Sequence, residues 1–251
     1  MTILQVENAS ISFGGVKALQ NISFHVKKDE VFSIIGPNGA GKTTLFNLIS
    51  RIYDLKEGSL FFKGVDATNL STHQIAKLGI ARTFQNTELF EQETVLNNLL
   101  IGNHIHRKTS LLQEIIFDRK TRNQEMEFRE NVEAIIDLLD LQAYRYQKIS
   151  NLPYGIRKLV EIARALSMKP ELILLDEPSS GLNPEETEDL IFQIEDLRAE
   201  LGITVLMIEH DMNLVSQISD RVMAIADGQT LIVGHPKEVQ DHAEVIRAYL
   251  G

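Results

Sequence analysis

Gly36-Pro37-Asn38-Gly39-Ala40-Gly41-Lys42-Thr43-Thr44 fits the pattern G-x-x-x-x-G-K-[ST], and its flanks supply the context that pattern needs. The apolar run 31–35 reads as a buried strand, and residues 45–50 read as the start of a helix. Glycines let the backbone turn tightly enough for successive N–H groups to face one anion, and the helix N-terminus adds partial positive charge. In such a loop Lys42 reaches the β- and γ-phosphates of a nucleotide, and the Thr43 hydroxyl can ligate magnesium. A dinucleotide-binding G-x-G-x-x-G turn fails, because Gly39 and Gly41 are followed by Lys42, Thr43 and Thr44 with no third glycine. The stretch predicts an α/β nucleotide-binding core.

The composition narrows the function classes. A chain of 251 residues can bury a sizeable core as one large domain, or as a core with a subdomain. A net charge of −10 without a long Lys/Arg run argues against non-specific nucleic-acid binding as the main activity, although a local basic groove stays open. With no cysteine there is no disulfide framework, thiolate metal site or cysteine nucleophile, which fits a reducing compartment. Residues 1–10 mix Gln, Glu and Asn into their apolar pattern and read as neither signal peptide nor anchor. Nowhere do eighteen apolar residues run together, so membrane association is expected through a partner.

Outward from the loop, β and α signals alternate. Residues 4–13, 19–26, 59–63 and 80–84 read as strands, and Ser71 with Gln74 forms a capping box for a short helix. From residue 86 to about 151 the character changes. The pairs Leu111/Leu112, Ile115/Ile116, Ile135/Ile136 and Leu138/Leu139 recur among charged residues, as in amphipathic helices, with Glu125 and Arg129 an i,i+4 pair. The alternation then resumes: helix 157–168, strand 172–175, helix 184–201, strand 204–208, strands near 222–225 and 230–233, and a short helix ending at Leu250. Asn183 is a natural N-cap for the helix that Pro184 opens, with Glu185 and Glu186 in its first turn. The domain expectation is a core of residues 1–85 and 157–251 interrupted by a helical insert, 86–156.

A phosphate cradle needs a metal carboxylate and a group that orients water. The run Leu172-Ile173-Leu174-Leu175-Asp176-Glu177 makes a buried strand whose C-terminal end delivers both beside the loop. Asp176 is placed to hold magnesium, usually through its water shell, and Glu177 to orient or deprotonate the attacking water.

The following residues resemble one family. Asp176-Glu177-Pro178-Ser179-Ser180-Gly181-Leu182-Asn183-Pro184 is similar to the Walker B and D-loop of ATP-binding-cassette (ABC) ATPases. Gln85 resembles that family's Q-loop glutamine, and Ile208-Glu209-His210-Asp211 its switch-histidine segment. Leu152-Pro153-Tyr154-Gly155-Ile156 stands where the family carries its LSGGQ signature, so the resemblance spans essentially the whole chain. It implies a P-loop ABC ATPase fold with an N-terminal antiparallel β subdomain and an inserted α-helical subdomain. It also implies MgATP as cofactor, with Gln85, Thr43 and Asp176 around the metal. His210 is expected to donate to the γ-phosphate. Gly155 is expected to offer its N–H to ATP held by another copy. Phe13 matches the aromatic that stacks on adenine, and its alternative is a core phenylalanine at a strand end.

Departures are specific. Pro153 replaces the signature serine and has neither hydroxyl nor N–H. Tyr154 and Ile156 replace a glycine and a glutamine, and Asn183 stands for the D-loop aspartate. The insert around 107–129, Tyr154-Gly155 and the closing Ala248-Tyr249-Leu250-Gly251 resemble ATPases of branched-chain amino-acid (Liv-type) importers, a branch that includes urea and related amide uptake. That resemblance implies integral-membrane permease subunits, a second ABC ATPase subunit (identical or different) and, indirectly, a substrate-binding protein as partners, with no nucleic acid. The expected place is the cytoplasmic face of the inner membrane, peripherally bound. An ATPase of a lipid or polysaccharide exporter, or a soluble ABC ATPase without a permease, is the alternative.

Overall fold

The computed structural model describes residues 1–83, 89–107, 116 and 118–250. Two compact units divide the chain: residues 1–85 with 171–251, and residues 86–170.

Three short strands explain the first unit. β3 (Val31–Ile35), β7 (Leu172–Asp176) and β8 (Thr204–Ile208) are buried at every position. That is the mark of parallel strands covered on both faces. They sit in a six-stranded sheet of order β10-β9-β3-β8-β7-β6, with β6 (Ile80–Arg82), β9 (Arg221–Ala226) and β10 (Gln229–Gly234). Every neighbouring pair is parallel except β9 with β10. A second, antiparallel sheet of order β2-β1-β4-β5 joins β1 (Thr2–Phe13), β2 (Val16–Lys27), β4 (Glu57–Phe62) and β5 (Val65–Asp66). Its strands alternate buried and exposed residues along much of their length, as a sheet with one covered face should. Leu4, Ile22 and Phe24 from this sheet share one apolar cluster with Phe32, Leu174 and Ile208 of the other, and with Leu45 and Phe46 of helix α1 (Lys42–Ile49).

The remaining helices of this unit are α2 (Thr72–Leu78), α6 (Pro184–Leu201), α7 (Met212–Ile218), α8 (Pro236–Gln240) and α9 (Ala243–Leu250). Both foreseen caps are present. Ser71 accepts from the Gln74 N–H while Gln74 reaches back, and Asn183 and Glu186 do the same ahead of Pro184. No helix among the described residues is long and apolar enough to cross a membrane.

The second unit contains α3 (Val95–Gly102), α4 (Arg119–Leu138) and α5 (Tyr154–Leu166), with short 3-10 turns between them. Buried Asn98 ties the start of α3 to the preceding loop, accepting from the Phe90 N–H at 2.8 Å and donating to the Phe90 and Thr94 carbonyls. Three readings change. The helix expected at 157–168 begins three residues earlier and lies in this unit rather than in the first. Glu125 pairs with Arg107 at 2.5 Å instead of with Arg129. The strand expected to run to 84 ends at Arg82, and the pairs Leu111/Leu112 and Ile115/Ile116 fall wholly or partly outside the described residues.

Candidate active site

The loop after β3 is built as its sequence requires. Gly41 caps α1 at φ +101, and a Cβ there would lie 2.6 Å from the Ala18 carbonyl oxygen and 2.8 Å from Leu19 Cδ2. Only glycine fits both the left-handed backbone and that close approach. The turn between β9 and β10 braces the loop from one side, since the Gly228 N–H donates to the Ala40 carbonyl at 3.1 Å. Helix α1 has no side-chain cap hydrogen bond and no acidic residue in its first turn. Its N-terminus therefore suits an anion.

Lys42 is almost fully buried, and its Nζ donates to the Gly36 and Pro37 carbonyls at 2.7 and 3.0 Å. Burial pushes its pKa below the usual lysine range, while Glu177 and then Asp176 pull it back up. Those two carboxylates thus act on the loop lysine through space. Asn38, Gly39, Ala40, Gly41, Lys42, Thr43 and Thr44 line a cleft of about 250 Å³ together with Ala18 and Glu177.

Sheet register supplies the rest. β3, β8 and β7 are adjacent and parallel, so their carboxyl ends open on one edge of the sheet, where α/β folds bind ligands. Asp176 pairs in register with Ile208, which places Glu177 beside the segment leading to His210. The Glu177 N–H donates to the Ile208 carbonyl at 3.0 Å, and Glu177 adopts φ +50, an uncommon value for a side chain of this size. His210 is more than half exposed. Thr43 and Asp176 offer the hard oxygen donors that magnesium prefers.

Phe13 is 45% exposed at the end of β1 and meets Tyr53 edge-on at 5.1 Å between ring centroids, which rules out its core alternative. Gly155 is in the second unit, buried in the first turn of α5, whose N-cap Pro153 makes no side-chain hydrogen bond. Gln85 lies outside the described residues.

Two residues escaped the sequence reading. Arg82, at the end of β6, bonds Asp176 Oδ2 at 2.9 Å, Asn47 Oδ1 at 2.7 Å and Ser50 Oγ at 3.1 Å. Glu209 is buried at the end of β8 and accepts backbone N–H groups from two segments. The signal for Arg82 was available: an arginine inside a buried strand needs a charged partner.

Comparison with known proteins agrees with this geometry. A family model described as "ABC transporter" matches residues 19–180. BraF of Pseudomonas aeruginosa, a high-affinity branched-chain amino acid transport ATP-binding protein, is 40% identical over 249 residues, covering 99% of this chain and 98% of its own. LivG of Escherichia coli K12, which carries the same description, is 38% identical with the same coverage. Among solved structures, a nucleotide-free ATP-binding cassette from an ABC transporter matches with a TM-score of 0.88 and 36% identity, covering 100% of both chains. The ADP conformation of such a cassette matches with a TM-score of 0.88 and 36% identity, covering 100% of this chain and 99% of that one.

Proposed function

The chain belongs to the ABC transporter family and is an ABC-type ATPase, and on that premise we propose that it powers uptake of branched-chain amino acids or a related small amide through membrane permease subunits. The observation that carries the ATPase part is the meeting of the phosphate loop, Asp176, Glu177 and the His210 segment at the carboxyl ends of β3, β7 and β8. The cargo part is supported by near-full-length similarity to BraF and LivG.

In this reading the N–H groups of residues 36–44 cradle the phosphates, and Lys42 exchanges its loop carbonyls for phosphate oxygens. Thr43, Asp176 and Gln85 would hold magnesium, which supplies charge neutralisation at the phosphates when bound. Glu177 orients the attacking water and accepts its proton. His210 donates a hydrogen bond where charge develops on the γ-phosphate. Phe13 stacks on adenine, backed by Tyr53. Gly155 offers its N–H to ATP held by a second cassette, identical or different. The protein then works at the cytoplasmic face of the membrane, held there by its permease, with a substrate-binding protein as an indirect partner.

Deleting the gene and measuring uptake of labelled leucine and urea tests the cargo, with loss of either expected. Unchanged uptake of both, with an envelope defect instead, would refute import and favour an exporter.

A further inference from the structure

Turnover as proposed requires Glu177 and His210 to hold fixed positions, and one more carboxylate joins the two segments that carry them. Glu209 directly follows β8 with its side chain 0% exposed. Its Oε1 accepts the Ser179 N–H at 2.8 Å, two residues beyond Glu177. Its Oε2 accepts the His210 N–H at 2.9 Å and the Asp211 N–H at 3.4 Å. The His210 ring is not part of this arrangement, because its Nδ1 stands 4.0 Å from Oε2, beyond hydrogen-bonding reach. Glu209 therefore grips the backbone of the histidine segment and leaves the imidazole available.

The chemistry of the side chain fits that task. Only a carboxylate accepts at both ends with no donor to misdirect, and burying one is costly unless both oxygens are bonded. Full burial also removes it from contact with water or phosphate, so it is no second base. The Glu209 N–H donates to the Ile34 carbonyl at 3.2 Å, just ahead of the phosphate loop, which anchors the grip to β3.

We propose that Glu209 is a positioning residue that clasps the His210 segment to the turn following Glu177, so that the two are set relative to each other. The proposal rests on the ATPase reading of this site.

Glu209→Gln tests it, since glutamine keeps the shape but turns an NH2 group toward one of the N–H donors. kcat for ATP should fall about 10- to 100-fold, as misplacement of a reacting group by about 1 Å produces, with KM within about threefold of wild type. In a His210→Ala background the same change should cost less than about threefold more, because a residue acting through His210 has little left to affect. Hydrogen exchange at the amides of Ser179, His210 and Asp211 should quicken while β3 and β7 stay protected. A kcat within about twofold of wild type would overturn the proposal. So would an equal fold-loss in both backgrounds, which marks a merely structural role, or unchanged exchange at the three amides. If Glu209→Gln does not fold, Glu209→Asp, which keeps the charge one methylene shorter, is read in the same way. A wild-type chain without ATP turnover would instead count against the ATPase reading, and the exchange measurement would still decide on the clasp.

Discussion

Arg82→Met should be one of the costliest single changes in the first unit. Its guanidinium and the Asp176 carboxylate meet at 2.9 Å with side chains only 7% and 1% exposed. Removing one member of a buried pair leaves the other charge short of its partner in a medium that solvates it poorly, which costs about 3–5 kcal/mol. For a chain of this length that lowers Tm by roughly 6–20 °C, at about 2–4 °C per kcal/mol. Lys63 and Glu171 provide an internal control, since their pair is 40% and 47% exposed. Lys63→Met should cost no more than about 1 kcal/mol. The double variant Arg82→Met/Asp176→Leu should be more stable than the sum of its single changes predicts, by about 2 kcal/mol, because it buries no lone charge. The chain lacks tryptophan, so far-UV circular dichroism during heating and urea titration is the suitable probe. A Tm shift under about 2 °C for Arg82→Met, or strict additivity in the double variant, would refute the buried-pair reasoning.

Other outcomes follow from the same geometry. Glu177→Gln should retain ATP binding while losing at least about two orders of magnitude in turnover, and wild-type hydrolysis by this variant would end its assignment as the base. With ATP present, the same variant should accumulate dimers in light scattering if two copies of this chain pair. Only monomer at high protein concentration would point to a different partner cassette, in keeping with Pro153 and Asn183. Lys42 has a folded pKa below its unfolded value of 10.5, so the unfolded chain binds more protons and this residue's contribution to stability rises with pH between the two values. The stability difference between wild type and Lys42→Met, read from urea midpoints, should therefore grow through the alkaline range up to 10.5, and a flat difference would contradict the burial effect. Gly41→Ala should lower both stability and nucleotide affinity, because its Cβ meets the Ala18 carbonyl oxygen at 2.6 Å. Unchanged affinity by calorimetry would show that the loop can relax.

Much of this was legible because the chemistry is local. The phosphate loop, the apolar strand before Asp176, the Ser71 capping box and the Asn183 N-cap each occupy fewer than about a dozen consecutive residues, within the span where periodicity and capping rules apply. What escaped depends on strands distant in sequence. Nothing near Arg82 announces Asp176, 94 positions away, and nothing near Glu209 announces Ser179, 30 positions away. Helix α7 was missed for another reason. Asp211 caps it by accepting from the Asn213 N–H at 2.8 Å, but its place beside His210 drew the functional reading and hid the capping signal. The boundary at 156 follows the signature-like segment 152–156, whose last three residues the structure folds into the first turn of α5.

Glu177 sits at φ +50, where a side chain of this kind costs the backbone about 1 kcal/mol relative to glycine, and where asparagine is better tolerated. Selection for heat resistance alone would thus push this position toward Asn or Gly and discard the proposed base along the way. Anyone stabilising the protein by directed evolution should hold residue 177 fixed, because here the gradient of robustness runs against that of turnover.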